Sequence, residues 1–127
     1  MASELRVNTL KDASGNNSIG MSYVAEGTAK AWCFFDGTAG TIAFADSFNG
    51  SSLTDSATGQ YIMNFTSSMG NTTYPCLFIV EDRNDNQSTS VQTSSSSKMF
   101  NRKGIDGSTA VDNDAAKCQF TVHGDLA

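Results

Sequence analysis

Catalysis and metal binding need acids, bases, nucleophiles or oxygen ligands at usable spacings, and this chain offers few. Asp82-Arg83-Asn84-Asp85-Asn86 puts oxygen-bearing side chains at alternate positions 82, 84 and 86, as a calcium loop begins. Gln87 then stands where the tight turn needs glycine, and Thr93 where a bidentate glutamate would complete the coordination. The run reads as a solvated hairpin loop and a candidate surface recognition loop through Asp82, Asn84, Asp85 and Asn86; a weak, non-helical calcium site is the alternative. Asp112-Asn113-Asp114 is a smaller case of the same kind. Residues 15–20 have the GxxxxG spacing of a phosphate loop, but Met21 follows where lysine must reach the terminal phosphates, so that reading fails. The sole histidine, His123, lies close to the C-terminus, where a Ser-His-Asp or Cys-His pairing would have to be assembled on a fraying end. Asp46, Asp55 and Glu81 give no spacing signal for the paired carboxylates of a glycosidase. No enzyme is expected, and no catalytic residue, cofactor or metal ligand is assigned.

Cys33, Cys76 and Cys118 are odd in number, far apart and without CxxC spacing, which argues against a disulfide framework and a zinc ribbon. Each lies in an apolar run and reads as a small buried hydrophobe, with one pair meeting across facing strands as the alternative. Trp32, Phe34, Phe35, Tyr61 and Tyr74 could form a stacking platform for sugar rings. Their dense apolar neighbourhoods favour a core role instead, with Tyr61 and Tyr74 expected to come nearest the surface. Five Asn-x-Ser/Thr matches, at Asn16, Asn49, Asn64, Asn71 and Asn86, are what an Asn-, Ser- and Thr-rich chain produces by chance.

The elements that would position these residues are mostly strands. Residues 4–10 alternate apolar and polar side chains, the pattern of a half-buried strand, before the turn-forming run Asp12-Ala13-Ser14-Gly15-Asn16-Asn17. Ile19, Met21 and Tyr23 share one parity and suggest a further short strand. Ala31-Trp32-Cys33-Phe34-Phe35 is apolar at nearly every position, so both faces of that strand are expected to be covered, and Asp36-Gly37 closes it. Further strands are expected over residues 41–48, ended by Asn49-Gly50, and over 51–55, 60–66, 76–80, 98–101 and 117–123. Pro75 begins the most apolar of them, where its missing N–H removes no ladder bond. Residues 81–87 read as an exposed loop and 104–116 mainly as loop, while the polar tracts 67–71 and 88–97 could be mobile loops. About eight short strands and no helix predict an all-β fold: an antiparallel, jelly-roll-like β-sandwich. Residues 1–28 read as an N-terminal strand and oligomerisation segment, and 29–127 as the sandwich domain.

At 127 residues and 13.4 kDa the chain can bury about two-thirds of its unfolded surface in one core. Ile, Leu, Val and Phe make up only 24 residues against 30 Ser and Thr, so that core is lean. Net charge −5 and a pI near 4.5 leave no basic footprint for phosphate backbones, so nucleic-acid binding is not expected. No apolar run nears the ~18 residues of a membrane span. Met1-Ala2-Ser3-Glu4-Leu5-Arg6 has no hydrophobic stretch behind a basic start, so neither membrane insertion nor secretion is expected.

Several blocks, in order, carry a family resemblance. Ser3-Glu4-Leu5-Arg6-Val7-Asn8-Thr9-Leu10-Lys11-Asp12-Ala13-Ser14-Gly15-Asn16-Asn17 resembles the start of tail-fibre-like virion structural proteins of marine and cyanobacterial phages. Ala29-Lys30-Ala31-Trp32-Cys33-Phe34-Phe35-Asp36-Gly37-Thr38 is similar to their "AWVNFNGTG" block, with Cys33 where valine is common. Asp46-Ser47-Phe48-Asn49-Gly50-Ser51-Ser52-Leu53-Thr54-Asp55 is similar to "SFNVSSITD". Gly59-Gln60-Tyr61-Ile62-Met63-Asn64-Phe65-Thr66 matches "GxYxxNFT", and Phe120-Thr121-Val122-His123-Gly124-Asp125 resembles their closing strand. The chain is short for a complete fibre.

The resemblance implies a homotrimeric tail fibre or fibre tip, made in a bacterial host's cytoplasm, resident on the virion and touching other virion proteins or a host-surface glycan. A capsid decoration protein is the first alternative, and a carbohydrate-binding or depolymerase module a distant one. A lean core also suggests how assembly would help: Leu5, Val7, Leu10 and Ile19 are the expected oligomer interface, buried in a core that one copy cannot complete.

Overall fold

The computed structural model describes residues 3–81, 85–104 and 111–127. Its elements are β1 (Thr9–Lys11), β2 (Ser18–Gly20), α1 (Met21–Gly27), β3 (Ala31–Phe35), β4 (Phe44–Phe48), β5 (Gly50–Ala57), β6 (Gln60–Phe65), β7 (Cys76–Val80), β8 (Asp85–Gln92), β9 (Ser96–Lys103), β10 (Val111–Asp112) and β11 (Cys118–Val122). The fold is all-β with antiparallel pairing throughout, apart from one short helix. One sheet runs β4-β3-β11-β7. A second runs β8-β9-β6-β5, with β10 continuing along the edge of β9 beyond β6. β1 and β2 form a separate hairpin. No helix among the described residues is long and apolar enough to cross a membrane.

Both larger sheets feed one core. The inward parity of β3 supplies Ala31, Cys33 and Phe35, that of β11 Cys118, Phe120 and Val122, and that of β6 Tyr61, Met63 and Phe65. Edge-to-face rings join the layers: Phe35 and Tyr61 lie 5.0 Å apart, and Tyr61 and Phe78 6.4 Å apart. Each such pair contributes about 0.5–1.5 kcal/mol beyond the area it buries. The core cluster starts at Ala31 and includes no residue of β1, β2 or α1.

Four expectations need correction. Residues 21–27 are helical where a strand was expected; Met21, Ala25 and Glu26 are good helix formers, and the N–H and hydroxyl of Thr28 close the end on Val24 O. Residues 3–8 join no ladder, although Asn8 O accepts from the Met21 N–H at 3.0 Å, so of the expected N-terminal strand only Thr9 and Leu10 are paired, in β1. Asp85-Asn86-Gln87 is strand, not loop, because β9 presents a free edge, and pairing of Asp85 with Lys103 and Asn86 with Arg102 overrides the poor strand propensity of Asp and Asn. The tract over 88–97 is likewise an ordered hairpin. Its turn is pinned by Tyr74, whose hydroxyl lies 2.9 Å from both Thr93 O and Ser96 O, and by Thr93 Oγ1, which accepts from the Ser96 N–H at 2.9 Å.

The Asn49-Gly50 break is a corner between the sheets. Asn49 has φ 55°. Its amide nitrogen donates to Lys30 O and Ser67 O, both at 3.0 Å, and its amide oxygen accepts from the Ser67 N–H at 2.7 Å. Asn49→Ala is expected to cost about 2–3 kcal/mol, from left-handed strain plus lost hydrogen bonds. Asn49→Gly, which keeps the backbone conformation, should cost visibly less; urea unfolding of the two variants measures the difference.

Candidate functional site

The outer face of the β4-β3-β11-β7 sheet is where the chain departs from ordinary sheet chemistry. Alternation along β3 sends Trp32 and Phe34 outward, along β7 Leu77 and Ile79, and along β11 Gln119 and Thr121. The ladders align these into two rows across the sheet. One row is Phe48, Trp32, Thr121, Leu77; the other is Asp46, Phe34, Gln119, Ile79. Two apolar columns therefore flank a column of polar side chains, and the space between them is a shallow groove of about 390 Å³ floored by β11. An antiparallel sheet facing water normally shows a polar outer face. Here Leu77 is 62% exposed, Phe48 51%, Ile79 50% and Trp32 37%. Apolar exposure gathered on one face makes it a candidate contact surface.

Trp32 and Phe34 were expected inside and lie on this face, whereas Tyr61 and Tyr74, expected nearest the surface, are almost fully buried. Composition could not separate the two parities of β3, because both are apolar. The available signal was Gln119 and Thr121, which mark the outward parity of β11 and, through the register, that of β3.

Leu5, Val7, Leu10 and Ile19 all stand exposed, Leu5 by 80%. Leu10 and Ile19 are cross-strand partners on the β1–β2 hairpin. Leu10 has the opposite parity to Leu5 and Val7, so the four do not form one stripe. Arg6 Nε lies 3.0 Å from Glu4 Oε1; in extended backbone residues two apart share one side, with Leu5 and Val7 on the other. The turn between β1 and β2 is held by Asp12, which accepts from Asn17 Nδ2 at 2.7 Å and from the Asn16 N–H at 3.0 Å. The Asn17 amide is the main reason its carboxyl is held below the usual carboxylate range.

Among the recognition-loop candidates, Asp82 and Asn84 lie outside the described residues, and Asp85 and Asn86 are backbone members of β8. The carboxylates of the Asp112-Asn113-Asp114 run are engaged in the fold. Asp112 accepts from Gln60 Nε2 and Arg102 Nε, both at 2.8 Å, and Asp114 from the Gly59 N–H at 2.6 Å and the Tyr61 hydroxyl at 2.8 Å. No group of three or more His, Cys, Asp or Glu side chains that could hold a metal occurs among the described residues. None of the three cysteines is in a disulfide, and Cys33 and Cys118 are buried. Burial, and secondarily Cys118, pushes the Cys33 thiol up to about 12, so it is a packing group without thiolate character. His123 ends β11 half-buried, its backbone N–H on Pro75 O at 3.0 Å. Asp46 and Asp55 lie on different sheets, and Glu81 follows β7 in an ion pair with Lys117 at 2.7 Å. Comparison with models of protein families, with curated proteins and with solved structures finds no match to this chain.

Proposed function

We propose that this chain is a phage virion structural protein of the fibre type: a jelly-roll-like β-sandwich that assembles as a homotrimer, forms a tail fibre or fibre tip, and contacts the host surface. The block-by-block resemblance of the sequence to tail-fibre-like proteins motivates the reading. The observation that carries it is the open apolar face of the β4-β3-β11-β7 sheet beside an N-terminal unit that contributes nothing to the core of its own subunit. A component of a larger assembly is built this way, because surface left uncovered in one copy becomes interior when copies join.

Mass spectrometry of purified phage particles, with imaging of a labelled copy, tests the proposal. The chain should be present, at a few trimers per particle and at the tail. Hundreds of copies spread over the shell would replace the fibre assignment by capsid decoration, and absence from particles would end the virion reading.

A further inference from the structure

Of the twelve large apolar side chains that stand exposed among the described residues, five belong to the N-terminal unit (Leu5, Val7, Leu10, Ile19, Tyr23) and four to the outer sheet face (Trp32, Phe48, Leu77, Ile79). Apolar side chains are therefore exposed in two places, on the N-terminal arm and on a grooved sheet face. We propose that these are the two halves of one contact: the arm of one copy lies in the groove of the next, with Leu5 and Val7 seated over Thr121 and Gln119 between the Trp32–Phe34 and Leu77–Ile79 columns. This rests on the self-assembly part of the function proposed above and names the surfaces that carry it.

The dimensions agree. Residues 4–8, when extended, span about 17 Å, the length of the five-residue strands that form the face. Leu5 and Val7 are two residues apart, and so are Trp32 and Phe34, Leu77 and Ile79, and Thr121 and Gln119. Extended chains therefore present all four pairs at the same repeat of about 7 Å. The apolar columns sit two strands apart, about 10 Å, which leaves width for one row of incoming side chains above Thr121 and alongside Gln119 of β11. Glu4 and Arg6, paired with each other, would remain on the solvent side. Area argues against the simplest rival, two sheet faces pressed together. Four strands of this length present only ~300 Å², against the ~800 Å² per partner of a stable association. An arm that continues into the β1–β2 hairpin adds contact beyond the edge of the sheet. Because arm and groove are different surfaces, the contact is head-to-tail, and closure gives a ring, here of three.

The full-length protein provides its own probe, since Trp32 is the only tryptophan and stands at the groove. Val7→Asp spoils the arm and Leu77→Asp the groove; both positions are exposed, so neither change disturbs the core. The wild type should scatter light as three times the 13.4 kDa subunit, with Trp32 emission blue-shifted and poorly quenched by acrylamide. Each variant alone should run as a single subunit with unchanged circular dichroism, red-shifted emission and quenching raised several-fold. An equimolar mixture of the two should form two-subunit species and no larger ones, because the sound arm of the Leu77→Asp copy fits the sound groove of the Val7→Asp copy. A wild type that is already a single subunit overturns the proposal, with shielded Trp32 indicating an arm folded onto its own face. So does a Val7→Asp protein of wild-type mass, which would leave face-to-face pairing if Leu77→Asp alone dissociates, and so does a mixture that stays at single-subunit mass. Particle composition is read separately: a chain that complements as described but is missing from virions keeps this contact and loses the virion reading, and one found in virions but insensitive to both substitutions does the reverse.

Discussion

Gly59→Ala is expected to destabilise the protein by about 3 kcal/mol, seen as a lowered urea midpoint with an unchanged slope. Gly59 turns β5 into β6 at φ +64°, a conformation that costs alanine about 1–2 kcal/mol. The remainder comes from crowding. A methyl group there would run into Asn101 O and meet Asn113 N at 2.7 Å and Asn113 O at 2.8 Å, all backbone atoms that cannot rotate away. Those atoms are fixed because the turn is bound on several sides. The Gly59 N–H donates to Asp114 at 2.6 Å, Gly59 O accepts from the Asn101 N–H at 2.7 Å, and Asn101 Nδ2 donates to Asn113 O at 2.8 Å. Relieving the clash would pull the segment before β11 off the β5–β6 turn and take the Tyr61–Asp114 hydrogen bond with it. Gly40→Ala is the control, since added bulk there meets nothing within 4 Å. It should shift stability by no more than about 0.5 kcal/mol. Equal effects of the two substitutions would show that the Gly59 turn is not held as described.

Alkaline pH is expected to unfold the protein well before neutral-pH stability would suggest. Three weak acids are kept protonated inside it. Burial pushes Cys33 up to about 12 from 9.0, with Cys118 adding to the effect. Burial, with Cys76 as a second contribution, pushes Tyr74 up to about 12 from 10.0. Tyr61 is raised further, first by burial and then because its hydroxyl donates to Asp114. A raised folded-state value means that the folded form holds its proton while the unfolded form has already released it. The stabilisation is therefore complete below the unfolded value and is lost as pH climbs towards the folded one. The loss begins near pH 9 for Cys33 and near pH 10 for the two tyrosines. Each retained proton costs at most ~1.4 kcal/mol per pH unit, and three together approach the 5–15 kcal/mol that small domains have in total. Urea midpoints should be level from pH 7 to 9 and fall steeply by pH 11. Cys33→Ala should make the fall between pH 9 and 10 shallower, because one buried thiol is gone. A midpoint that holds constant to pH 11 would mean that the thiol and phenols are open to solvent.

How far the sequence could be read differs from strand to strand. Strands β6, β7 and β11 were legible as strands, although Tyr61 of β6 was expected near the surface and is buried. In β11, Cys118, Phe120 and Val122 alternate with Gln119 and Thr121, and only one parity can be buried. In β6 the parity of Tyr61, Met63 and Phe65 is the more apolar, and it faces the core. β8 was illegible for a different reason. A strand of Asp, Asn, Gln, Ser and Thr with Val91 as its one apolar residue carries no hydrophobic period, and its pairing comes from the free edge of β9. The N-terminal hairpin was legible as a turn, through Asp12 and Gly15, but not as a three-residue ladder that runs directly into a helix.

The candidate site divides in the same way. Residues alone determined an antiparallel all-β chain with a lean core and an apolar N-terminal segment, because side-chain period and turn chemistry are local. Only the tertiary structure decided that Trp32 and Phe34 turn outward. Both parities of β3 are apolar, so local energetics leave that strand's rotation open, and the choice is made by its neighbour: Cys33 opposite Phe120 and Phe35 opposite Cys118 send one parity into the core. The other parity then has no interior to join, and it stands on the outer face of the sheet.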